Sequence, residues 1–136
     1  MSQENLALIR RCVTARDPGS YAAVARLIDP EVVVDLSVRP DGRVYRGRRK
    51  AFEALRSWVD RWEDYSYEVE RLIDAGDQVV VLFRETGRGK ESGVASEIVG
   101  ATVWTVADGK VVHTKTYTDR REALEAVGLS ESRLEE

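Results

Sequence analysis

Two charged residues sit where a strand should be apolar. Asp35 follows Val32-Val33-Val34, a β-branched run that reads as strand. A carboxylate carried inward there is partly desolvated, and desolvation raises its pKa toward the range of a general base. The competing reading is a solvated aspartate where a strand runs into a turn. Arg84 interrupts Val79-Val80-Val81-Leu82-Phe83. Facing inward it must be paired, either with Asp35 or with a ligand carboxylate or enolate. Facing outward it meets Glu85 or Glu97 on the sheet surface. Pairing with Arg84 would lower the pKa of Asp35 and make it a poorer base. A third charged candidate, Asp119, stands three residues before Glu122, the spacing of a capping box at a helix start.

The remaining chemistry is sparse. The chain holds one histidine, His113, and one cysteine, Cys12, which excludes a four-ligand Cys/His zinc site and an internal disulfide. Nothing places a nucleophile beside His113, and Cys12 lies on an apolar helical stripe as a small core residue. No metal or cofactor is expected. Gly87-Arg88-Gly89 lacks the strand-loop-helix context and the Lys-Ser/Thr of a phosphate loop. Arg46, Arg48, Arg49 and Lys50 open a helix, where positive charge opposes the dipole. That placement suits an anion, although a solvated face is the ordinary explanation. No aromatics interleave the cluster, so single-stranded nucleic acid is not an expected partner. Tyr21, Trp58 and Trp62 are core residues by spacing, and ligand-stacking residues at a cavity mouth by the alternative reading.

Those side chains need elements to hold them. Ser2 can cap a first helix with Leu6, Ile9, Cys12 and Val13 on one stripe. Asp17-Pro18-Gly19 breaks it. Ser20 can cap a second helix through Tyr21, Val24, Leu27 and Ile28, ended by Asp29-Pro30. After the strand ending at Leu36 and a turn at 40–42, Gly47 precedes a third helix. Its apolar face is Phe52, Leu55, Trp58, Val59 and Trp62. The period then changes. Strands are predicted from Tyr65 to Ile73, Val79 to Thr86, Val94 to Val106 and Val111 to Thr118, with Asp108-Gly109 as a hairpin turn. A short helix, Arg120 to Val127, stops at Gly128. The polar tail 130–136 is expected to fray.

Three N-terminal helices packed in the concave face of a strongly curved, mostly antiparallel sheet make an α+β cone, and a pocket is expected at its wide end. The length fits one domain, residues 1–129. The net charge of −3 argues against a general polyanion binder. The apolar stretch near the start, Leu6 to Ile9, is too short for a signal peptide or a span. A cytoplasmic protein with no membrane partner is therefore expected.

The order and spacing of several short motifs resemble SnoaL-like members of the nuclear transport factor 2-like superfamily. They are Asp29-Pro30-Glu31-Val32, Tyr45-Arg46-Gly47, Asp74-Ala75-Gly76-Asp77, Val103-Trp104-Thr105, Asp108-Gly109-Lys110 and Tyr117-Thr118-Asp119. The likeness spans residues 3 to 129. It implies the cone, a small-molecule pocket and a homodimer through the sheet, but not one function. Matching to ketosteroid isomerase implies that Val33, Asp35, Val80, Leu82, Arg84, Thr86, Thr102, Trp104, Thr114, Thr116 and Thr118 point into the cone. On that match Leu82, Thr102, Trp104 and Thr116 would touch a ligand and Asp35 would be the base. The oxyanion-hole tyrosine and acid of that isomerase fall on Cys12 and Thr102, so steroid isomerisation is not expected. SnoaL-like cyclases carry an acid-base aspartate at the position of Asp119. The expected function is binding of a small, mostly apolar molecule. The alternative is a cofactor-free isomerase, cyclase, dehydratase or epoxide hydrolase using Asp35 as base, with Arg84 orienting the substrate.

Overall fold

A computed structural model describes residues 2–15 and 18–135. Asp17, assigned to the first break, and the side chains of Ser2, Ser20 and Tyr21 lie outside the described residues. In chain order the elements are α1 (Ser2–Thr14), α2 (Pro18–Ala25), β1 (Ile28–Asp35), β2 (Val44–Arg46), α3 (Arg48–Val59), β3 (Trp62–Ala75), β4 (Gln78–Gly89), β5 (Ala95–Ala107), β6 (Lys110–Tyr117) and α4 (Arg120–Ala126). A 3-10 turn, Glu131–Glu135, follows. The six strands form one curled sheet in the order β2-β1-β6-β5-β4-β3, antiparallel except where β1 meets β6.

The expected α+β architecture is present, with local differences. Helix α2 stops at Ala25 because Arg48 ties off its end. Its Nη1 donates to the carbonyls of Ala25 (2.7 Å) and Ile28 (3.2 Å). Residues 28–30 consequently join β1. Pro30 is tolerated because the β1–β6 register shifts between Ile28 and Val33, where no ladder bond is interrupted. Trp62 begins β3 rather than ending α3. It still meets Trp58 edge to face, with ring centres 5.5 Å apart, so the contact survives the change of element. The tail is held rather than frayed: Arg71 donates to the Arg133 carbonyl, and Leu134 packs on the core.

The sheet is buried on both sides. On one side, Ile9 and Val13 of α1 and Ala51 of α3 pack on Val32, Val34, Val79 and Val81. On the other, Ala123 and Leu124 of α4 pack on Ile73, Val80, Leu82, Ala101 and Val103. Directly paired residues on neighbouring strands share a side. Val81 pairs with Thr102, which pairs with Thr116, so all three face the helices α1 and α3. Val34 pairs with Thr114 and Asp35 with Lys115, so Asp35 lies on the opposite side.

This register corrects half of the expected cone lining. Thr102, Trp104, Thr114 and Thr116 do face the helices. Val33, Asp35, Val80, Leu82, Arg84 and Thr86 do not; on β1 and β4 the inward residues are Val32, Val34, Val79, Val81, Phe83 and Glu85. The reason is that β4 is covered on both sides. Val79 through Phe83 are all almost fully buried, so the run has no polar alternation to reveal which parity faces which layer.

Candidate functional site

The parity of β4 puts Glu85 inside, where Arg84 was expected. Its carboxylate is 3% exposed, and three donors converge on it. Arg39 Nη2 reaches Oε1 at 2.9 Å, Trp58 Nε1 reaches Oε2 at 3.0 Å, and the Tyr65 hydroxyl also donates to Oε2. Each partner comes from a different element: Arg39 from the β1–β2 loop, Trp58 from the end of α3, and Tyr65 from β3 beside the positive-φ Asp64. All three contacts need Glu85 to accept and never to donate. Burial, followed by the adjacent Glu85 charge and hydrogen bond, pushes the Tyr65 phenol well above its ordinary range.

Arg39 is held from two directions. Besides the Glu85 pair, its guanidinium lies over the Trp58 ring, 4.5 Å from the centre. Its loop closes on itself through Leu36 N–H to the Arg43 carbonyl, Arg39 N–H to the Leu36 carbonyl and Gly42 N–H to the Arg39 carbonyl. A side chain at position 42 would sit 1.9 Å from the Leu36 carbonyl oxygen, so only glycine closes this loop.

Space lies at the rim of this cluster rather than within it. The chamber between Trp58, Trp62, Tyr65, Glu85, Gly87 and Ile98 holds about 10 Å³, no more than one water. Outside it, an open groove of about 600 Å³ runs between the β1–β2 segment and α3. Leu36, Val44, Tyr45, Ala54 and Trp58 supply its apolar surface. Arg39, Arg43, Arg46, Lys50 and Arg61 supply positive charge against Asp41 and Glu53. Arg39 is matched by Glu85, and Glu53 by Arg49. That leaves four cations facing Asp41. Of the basic cluster singled out in the sequence, Arg46 and Lys50 line the groove, while Arg48 ties α2 to β1.

The other predicted site residues are dispersed. Burial pushes the Asp35 carboxyl up, but the Ser37 hydroxyl (2.6 Å) and amide (3.0 Å), with Lys115 and His113, together hold it below the usual carboxylate range. Arg84 makes the outward pairs, to Glu97 at 2.7 Å and Glu70 at 3.4 Å. Asp119 caps α4, accepting from the Arg121 amide at 2.9 Å. Leu82 lies under α4. Thr102 and Thr116 hydrogen-bond each other at 3.1 Å inside the sheet's curl, and Trp104 packs against the same core. Among the described candidates, only Trp58 and Trp62 fall at the groove or its flank. Burial pushes the Cys12 thiol up to about 11, which makes it inert as a nucleophile. Glu85 and Arg39 were missed; a glutamate two residues beyond the apolar run Val79–Phe83 was the available signal.

A curled sheet wrapped on helices, with its openings at the rim, defines a nuclear transport factor 2-like cone. Three solved structures share it. Bal32a from a soil-derived mobile gene cassette superposes with a TM-score of 0.76 at 16% identity, covering 85% of this chain and 89% of its own. An NTF2-like protein of Burkholderia thailandensis E264 gives 0.74 at 27% identity, covering 88% and 94%. A SnoaL-like protein of Jannaschia sp. CCS1 gives 0.73 at 22% identity, covering 93% and 92%. The SnoaL-like domain model matches residues 9–114, and the chain belongs to that family. Among curated proteins, none matches the sequence.

Proposed function

We propose that the protein binds a small, mostly apolar organic anion in the groove between the β1–β2 segment and α3, and holds it without transforming it. The observation that carries this reading is the set Arg43, Arg46, Lys50 and Arg61. No ion pair joins any of them to an acid among the described residues, and they surround an apolar floor that includes Trp58. Such a lining favours a ligand with one anionic end and an aromatic or aliphatic body. The test is calorimetry and tryptophan fluorescence with 2-naphthoate and its uncharged amide. The carboxylate should bind on the order of tenfold more tightly, with the gap closing at high ionic strength. Equal affinity for the two compounds overturns the reading.

The catalytic alternative, with Asp35 as base and Arg84 orienting substrate, has less support. Neither residue lines the groove, and Asp35 has the lowered pKa of a poor base. Turnover of a ketone, epoxide or polyketide mimic that Asp35→Asn abolishes would restore it. We also propose a homodimer through the sheet, in keeping with the family likeness. Sedimentation should give twice the 15.3 kDa chain mass, and the mass of one chain would contradict it. The single cysteine, which has no second cysteine in the chain to pair with, supports residence in a reducing compartment such as the cytoplasm.

A further inference from the structure

A buried ion pair is weak evidence for stability, because desolvating both charges offsets most of their attraction. The Arg39–Glu85 pair needs another explanation. The arginine is not used up by it. Nη2 is matched by Glu85, but Nη1 is buried and has no hydrogen-bond partner among the described residues. A buried donor without an acceptor is costly, and it marks a place where an acceptor is missing. The side chain lines the groove, stacks on Trp58 and sits on a loop that only glycine at position 42 can close.

Glu85 is fixed in turn. Trp58 and Tyr65 hold Oε2, leaving Oε1 to Arg39. The chain of contacts runs from two aromatic donors through a carboxylate to a guanidinium with one spare edge. Such an arrangement orients an arginine for recognition, because the planar fork binds carboxylates directionally while a mobile cation only attracts them.

We propose that Arg39 is the specificity-determining residue of the groove, donating from Nη1 to the ligand's carboxylate, and that Glu85 is the positioning residue that aims it. This proposal rests on the groove being an anion site and adds where the anion is held.

The proposal inverts an electrostatic expectation. If the groove attracts anions only through net charge, removing the Glu85 charge strengthens binding. If Glu85 aims Arg39, removing it weakens binding. The experiment is calorimetric titration of the full chain with 2-naphthoate and 2-naphthamide, with near-ultraviolet dichroism to verify the fold of each variant. Glu85→Gln should lower affinity for the carboxylate on the order of tenfold and leave the amide unchanged. Tyr65→Phe keeps the ring and removes one donor, and should lower carboxylate affinity about threefold. Arg39→Lys keeps the charge and should lose as much as Glu85→Gln. Arg10→Ala, exposed on α1 and absent from the groove lining, should bind as the parent does.

A folded Glu85→Gln variant that binds 2-naphthoate as well as or better than the parent overturns the proposal and leaves the anion-groove reading standing. A parent chain that does not prefer the carboxylate overturns both. If Glu85→Gln does not fold, Tyr65→Phe and Arg39→Lys decide: unchanged carboxylate affinity in both overturns the proposal.

Discussion

Tyr65 shows how much a single donor is altered by the carboxylate it serves. Its phenol is pushed up by burial first and by Glu85 second, so the folded chain favours the protonated form. A group whose pKa rises on folding contributes stability that is fully present below its unfolded value, about 10 for tyrosine, and is lost as pH climbs above it. The parent chain should therefore lose stability faster than Tyr65→Phe in the alkaline range, as read from urea midpoints at a series of pH values. Parallel slopes would contradict the contact. At this scale the sequence was partly readable. Arg84 stood out against an apolar strand with its inward and outward readings both open, while Glu85 entered only as a surface partner for it. The choice depends on parity, and parity is set by the pairing of Val81 with Thr102 and by the bulge in β3 between Val69 and Arg71, neither of which leaves a mark on β4 itself. Arg39 was unreadable for a different reason: its partner lies 46 residues away and its role depends on a loop closure.

At the scale of elements, β5 and α4 are locked together through Gly100. A side chain there would meet the Tyr117 carbonyl oxygen at 2.5 Å and the Phe83 ring at 3.1 Å. Gly100→Ala should cost about 2–3 kcal/mol in urea unfolding. The Gly100 carbonyl also accepts from Arg120 at 3.0 Å, and that arginine reaches the Phe83 carbonyl at 2.9 Å and Glu70 on β3. The Arg120 hydrogen bond, against a smaller opposing effect of burial, holds Glu70 below the usual carboxylate range. A lowered acid contributes stability above its unfolded pKa and loses it as pH falls through the folded one. The stability difference between the parent and Glu70→Gln should thus shrink in acid. A difference independent of pH would remove the ion pair from the docking of α4. The strands and helices were legible because their periods are distinct, and Asp108-Gly109 marked its hairpin. Strand β2 was not, since three residues carry no period. The end of α2 was hidden by Arg48, a contact between elements.

At the scale of the molecule, the sheet order brings the first long strand beside the last. The cone itself was legible from motif order, because each short signature marks a turn or a strand end and their sequence is the topology. The location of open space was not legible. Whether a curl is filled or hollow depends on side-chain volumes, and here Trp58, Trp62 and Tyr65 fill it around Glu85. In refolding monitored by pulsed amide exchange, protection in β4 and β5 should precede protection in β1, whose partner β6 begins 75 residues after β1 ends. Simultaneous protection would show that the long closure is not limiting.

The same strand order has a consequence for a chain emerging from a ribosome. The loop with Arg39 is made early, yet β1 has no long neighbour until Lys110–Tyr117 has been synthesised. Until then Arg39 lacks a fixed place from which to reach Glu85, and the hairpins made later are the first to mature. The part of the groove that is translated first is therefore assembled last, which leaves nascent chains with the glutamate in place and its arginine still waiting.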